Sequence, residues 1–93
     1  MVVVLVFRMG RRRSEAEVLM DVLGVASKGV RVTHLMYGAN LSYSTLRRYL
    51  FAAVKKGLIR KVHSSDGAVV YWTTEKGEAL LKRLRAADYS LFG

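Results

Sequence analysis

The sequence predicts one α+β domain: a core of three short helices, a two-stranded hairpin and a fourth helix toward the C-terminus, with an extra strand at the start. Three observations carry this expectation. Apolar residues recur at helical spacing up to Lys56, after which the chain changes to runs rich in β-formers between Leu58 and Thr73. Each change is punctuated by a hydroxyl-bearing helix starter or a glycine. Finally, 93 residues with 52% hydrophobic content suffice for one ordered core and not for two.

The elements follow in order. Ser14 and Glu17 have capping-box spacing, which starts the first helix at Glu15. Its apolar positions Val18, Leu19, Val22, Leu23 and Ala26 form one stripe, and Gly29 is placed to end it in a left-handed turn. Val30-Arg31-Val32 reads as a short strand. Thr33 then caps a brief second helix over residues 34–39, and the chain turns at Gly38 and Asn40, the latter tolerating positive φ. Ser42 caps a third helix over residues 43–56, stopped by Gly57. Leu46, Leu50, Ala53 and Val54 are its buried face, Tyr49 and Phe51 read as packing residues, and Arg47 and Arg48 point to solvent. Residues 58–63 and 68–73 flank the turn-forming tetrad Ser64-Ser65-Asp66-Gly67 and make the hairpin, with Trp72 packed beneath it. Thr74 precedes the fourth helix, which carries Leu80, Leu81 and Leu84 and runs to about residue 88. Residues 1–13, 14–88 and 89–93 are thus an apolar strand with a basic arm, the folded domain and a short tail.

Charge narrows the function. The balance of 16 Lys and Arg against 7 Asp and Glu gives +9 and a pI near 10.4, which favours an anionic partner. Between Asp21 and Asp66 the chain carries Lys28, Arg31, Arg47, Arg48, Lys55, Lys56, Arg60 and Lys61 without one carboxylate. A single-signed surface of this kind attracts polyphosphate and releases its counterions. A membrane surface competes for such a charge, but no helix combines a wide apolar face with a lysine-rich one. Without cysteine there are no disulfides and no thiolate metal sites. His34 and His63 are the only imidazoles and have no metal-ligand spacing. Neither a phosphate-cradling glycine loop nor a Gly-x-Ser-x-Gly elbow is present, and the few carboxylates mostly lie near helix starts, where the dipole accounts for them. The expectation is no enzyme, no cofactor or metal and no small-molecule ligand, but a nucleic-acid partner in the cytoplasm or on the nucleoid.

Helix, helix, turn, helix, hairpin is the order of a winged helix-turn-helix. The run Ala39-Asn40-Leu41-Ser42-Tyr43-Ser44-Thr45-Leu46-Arg47-Arg48-Tyr49-Leu50, then Lys56-Gly57-Leu58-Ile59, then Tyr71-Trp72-Thr73-Thr74-Glu75-Lys76-Gly77, resembles the archaeal winged helix-turn-helix DNA-binding proteins of about ten kilodaltons. These are of transcriptional-regulator or chromatin-associated type. The resemblance spans residues 14–88 and implies binding to double-stranded DNA. Family members carry a large apolar residue before the threonine of the last segment, where Thr73 stands here. By this resemblance, and independently by position, the third helix is the recognition helix, its N-terminal half entering the major groove. Tyr43, Ser44, Arg47 and Arg48 are placed at base edges or phosphates, and Thr45 adds a phosphate contact. Arginine suits this role because it bridges guanine O6 and N7 with two hydrogen bonds. The wing would set Arg60, Lys61, His63, Ser64 and Ser65 over the backbone or minor groove. Arg11, Arg12 and Arg13 read as a basic arm of the kind that enters a minor groove. The alternative is a winged helix acting as a protein-interaction or RNA-binding module of the transcription machinery.

Residues 1–7 hold four valines with Leu5 and Phe7, too few to span a bilayer and with no basic segment before them. They read as a strand that pairs with the wing sheet or with its equivalent in a second copy. The latter predicts a homodimer, aided by Leu91 and Phe92, whose two recognition helices meet successive major grooves about 34 Å apart. A true start at Met9, leaving residues 1–8 without a role, is the alternative.

Overall fold

Ser14 opens the first helix, α1 (Glu15–Ala26), through a complete capping box: the Glu17 amide donates to the Ser14 hydroxyl at 3.1 Å, and the Ser14 amide donates to the Glu17 carboxylate at 2.9 Å. The computed structural model describes residues 13–90, the last three by their backbone alone. The strand expected over residues 1–7, Arg11 and Arg12 of the basic arm, and Leu91 and Phe92 lie outside the described residues.

The second helix, α2 (Val32–Gly38), starts two residues earlier than its sequence suggests. Val30 makes a single bridge with Tyr71, exchanging bonds of 3.0 and 2.8 Å, and Arg31 becomes the N-cap without a capping bond from its side chain. The expected strand thus shrinks to one residue, because pairing with Tyr71 already holds the backbone extended immediately before the helix. Thr33 falls inside the helix. The end of α2 is a Schellman motif: Asn40 adopts φ 54°, its amide donates to Tyr37 O at 3.2 Å and the Leu41 amide donates to Met36 O at 3.0 Å. The third helix, α3 (Tyr43–Lys55), closes in the same way, with Gly57 at φ 76° and the Leu58 amide donating to Ala53 O at 2.8 Å.

Strands β1 (Ile59–His63) and β2 (Val69–Thr73) pair antiparallel with Ile59 opposite Thr73 and Lys61 opposite Tyr71. The expected tetrad makes the turn: the Gly67 amide donates to Ser64 O at 3.0 Å with Gly67 left-handed, and the Ser64 amide donates to Ala68 O at 2.8 Å beyond the last strand pair, His63 opposite Val69. The fourth helix, α4 (Glu75–Ser90), packs along α1.

Val22 and Leu23 of α1, Leu35 of α2, Leu46 of α3, Ile59 of β1 and Leu81 of α4 are the largest fully buried side chains, so every helix reaches the one core. Three expectations about side chains are corrected. Val54 and Phe51 are exposed, because the buried stripe of α3 is Leu46, Leu50 and Ala53 and both lie off it. Trp72 stays partly exposed and covers the backbone at Gly29, where a Cβ would fall 2.3 Å from the indole ring. Thr73, the departure from the family pattern, donates from its hydroxyl to Leu23 O at 2.7 Å and so satisfies a carbonyl at the end of α1. Its neighbour Thr74 locks the hairpin to the end of α3, the amide donating to Leu58 O at 3.0 Å and the hydroxyl to Gly57 O at 2.6 Å.

Candidate nucleic-acid interface

Helix α3 sets the interface. Ser42 caps it by accepting from the Thr45 amide at 3.3 Å, and its hydroxyl donates to Thr45 Oγ1 at 3.0 Å. Burying Leu46, Leu50 and Ala53 on the core turns the opposite side outward. The 3.6-residue period then divides the exposed residues into two lines. Ser44, Arg48, Phe51 and Lys55 run down the middle; Tyr43, Arg47 and Val54 run down the flank that faces the hairpin. Tyr43 is 55% exposed and its ring lies 5.8 Å from the Arg47 guanidinium carbon, a separation at which the cation is attracted to the π-face.

Between this flank and the hairpin lies an open groove of about 1040 Å³, bounded by Tyr43, Arg47 and Phe51 on α3, by Lys61 and Tyr71 on the strands, and by Val32 of α2. Register explains why Lys61 is there. Alternation along β1 puts Lys61 and His63 on one face and Arg60 on the other, with Arg60 paired opposite Trp72. The two wing cations therefore do not act on the same side of the sheet. At the tip, the Ser64 hydroxyl donates to the Asp66 carboxylate and to Ala68 O at 3.2 Å, and is occupied in holding the turn; Ser65 is exposed. Asp66 also accepts from the Ala68 amide at 3.0 Å and pairs with Arg31 at 3.2 Å. Its carboxyl is held below the usual aspartate range, first by the Ser64 bond and then by the Ala68 amide, with Arg31 adding to both.

Arg13 departs from the expected arm. Its Nη1 donates to Asp21 Oδ2 at 2.6 Å and to Ala39 O at 2.7 Å, while Nη2 donates to Asn40 O at 2.7 Å. The guanidinium thus caps the end of α2, immediately before α3. The residues that sequence reading missed on this face are Phe51, Val54, Lys55 and Tyr71. Lys55 was legible from its position two turns after Arg48; Tyr71 was not, because its place depends on the hairpin register.

The winged helix-turn-helix family matches this chain over residues 12–90. The chain belongs to that family. This winged helix is 28% identical to the DNA-binding protein Sso10a-2 of Sulfolobus solfataricus, with a TM-score of 0.72 over 85% of this chain and 88% of that one. It also superimposes on the transcriptional regulator BldR of Sulfolobus solfataricus at a TM-score of 0.72 and 19% identity, over 80% of this chain and 55% of that one, a likeness of fold. A MarR-family transcriptional regulator of Silicibacter pomeroyi aligns at a TM-score of 0.67 and 27% identity, over 82% and 56% of the two chains. In sequence, an uncharacterised protein of Methanocaldococcus jannaschii is 35% identical over 74 residues. The winged helix spans 33% of that relative's length. Among the described residues there is no cluster of His, Cys, Asp and Glu fit to hold a metal, and no helix long and apolar enough to cross a membrane.

Proposed function

We propose that this winged helix binds double-stranded DNA as a transcriptional regulator or chromosome-associated protein, with α3 in the major groove and the hairpin over the backbone or minor groove. The carrying observation is the face built by α3 and β1. Arg47, Arg48, Lys55 and Lys61 stand on it with no carboxylate on either element, so neither element neutralises them. A helix of this width fits one major groove, and the arginines then reach base edges or phosphates with Tyr43, Ser44 and Thr45 beside them. Lys61, His63 and Ser65 belong to the backbone-positioning part of the interface; Arg60, on the opposite sheet face, reaches DNA only along the outer side of the wing. Arg11 and Arg12 are retained as a basic arm, whereas Arg13 is assigned to the fold.

A homodimer completes the proposal, since two copies related by a two-fold axis would present two recognition helices to successive major grooves. Residues 1–7 with Leu91 and Phe92 are the proposed contact. Sedimentation of the full chain against a chain starting at Met9 tests it, a monomer in both cases ruling it out. DNA binding itself is tested by gel shift across a salt series. Four to six phosphate contacts give a slope of log K against log salt of about −4 to −5. No duplex binding at about 50 mM salt would reject the DNA reading in favour of a protein-interaction or RNA-binding module.

A further inference from the structure

Phe51 borders the groove on one side and is the one apolar side chain in the middle line of α3. It is 72% exposed in the middle line of α3, where its companions are Ser44, Arg48 and Lys55. Helical spacing makes it point where Arg47 and Arg48 point, three to four residues further along. At 1.5 Å per residue that is about 5 Å, or one to two base-pair steps along a groove. Two occupants can cover an apolar ring set among cations. A second copy of the chain is the poorer one: an isologous contact through this face brings Arg47, Arg48 and Lys55 against their own copies, with no carboxylate on α3 to offset them. A duplex satisfies both characters at once, its phosphates answering the cations and the thymine 5-methyl offering an apolar group in the major groove.

We propose that Phe51 is a specificity-determining residue that packs on thymine 5-methyl groups one or two steps from the base pairs facing Arg47 and Arg48. This inference rests on the DNA-binding reading above. The chain then prefers sites in which guanine is followed closely by thymine, the arginine reading the hydrogen-bonding edge and the ring reading the methyl. A contacted methyl withdrawn from water changes affinity about fourfold, the transfer free energy of one such group.

The test uses the full chain and two duplexes of identical sequence, one with thymine and one with deoxyuridine, which lacks only the methyl. In anisotropy titrations the unaltered chain is expected to bind the thymine duplex about fourfold more tightly per contacted base. Phe51→Ala should bind both alike, and Phe51→Leu should keep part of the preference. Because the side chain is exposed, neither substitution removes a core contact, and unchanged helical content by circular dichroism verifies this. Equal affinity of the unaltered chain for the two duplexes overturns the inference and leaves the DNA reading standing. A thymine preference that persists undiminished in Phe51→Ala also overturns it. Binding to neither duplex at low salt removes the DNA reading and the inference with it.

Discussion

Replacing Arg13 by alanine is expected to destabilise the fold by about 2–3 kcal/mol while leaving the salt dependence of DNA binding unchanged. The guanidinium is 22% exposed and donates to three acceptors on two parts of the chain. Those bonds are unequal. The Asp21 carboxylate is 41% exposed, so solvent screening holds that pair to well under about 1 kcal/mol. Asn40 is exposed and its carbonyl recovers water when Arg13 is removed. Ala39 is buried, and leaving its carbonyl without a donor costs about 1–3 kcal/mol, the larger share of the loss. For a domain of this size each kcal/mol shifts the midpoint by roughly 4–8 °C, so Tm should fall by about 10–20 °C. Thermal unfolding by circular dichroism reads the first effect; a salt series of duplex binding, at a temperature where both proteins are folded, reads the second. Arg13→Lys should recover little, since one ammonium lacks the planar fork that spans three acceptors. A Tm within about 2 °C of the unaltered protein, together with a salt slope smaller by about one, would show that Arg13 contacts phosphate and does not cap α2.

Other outcomes follow from the same geometry. Arg47→Ala or Arg48→Ala should cost about 1–3 kcal/mol of binding and relax preference at one base pair, whereas Lys61→Ala should weaken all sequences alike and lower the salt slope by about one. Uniform loss in the arginine variants across a panel of duplexes would assign them to phosphates. Gly77→Ala should destabilise by about 3 kcal/mol, because its Cβ would fall 2.1 Å from Leu58 O, a carbonyl already committed to the Thr74 amide; an unchanged Tm would contradict this packing. Asp66 should titrate below its ordinary 3.8, with the Ala68 amide shifting alongside it in NMR. Since its folded value is depressed, the wing-tip order that it supports is present above the ordinary value and is lost as pH falls through the folded one. A midpoint at or above 3.8 would refute that arrangement.

Much of the site was legible because its signals are local. Ser14 with Glu17, Ser42 before Tyr43, Asn40 and Gly57 each act within one turn of helix, and capping and left-handed φ are governed by near neighbours. The exposure of Arg47 and Arg48 follows from the burial of Leu46 and Leu50 on the same helix. The start of α2 was misplaced because a partner 41 residues away in sequence, Tyr71, sets it through the Val30 bridge. The hairpin turn is legible in Ser64-Ser65-Asp66-Gly67, whose ends bond directly, but the register that sets Lys61 opposite Tyr71 depends on pairing between two distant runs.

Composition, charge and periodicity by themselves determined that this chain is a winged helix whose third helix carries no carboxylate, since one-dimensional spacing dictates which residues share a helix face. Tertiary structure decided what those faces meet. It placed Lys61 and Tyr71 beside Arg47 and sent Arg60 to the other side of the sheet, because strand pairing joins residues distant in sequence. It drew Arg13 inward, because the orphan carbonyls at the end of α2 come within reach of a guanidinium only after α1 and α2 pack together. It left Phe51 in solvent because the core had already been filled from the other side of α3.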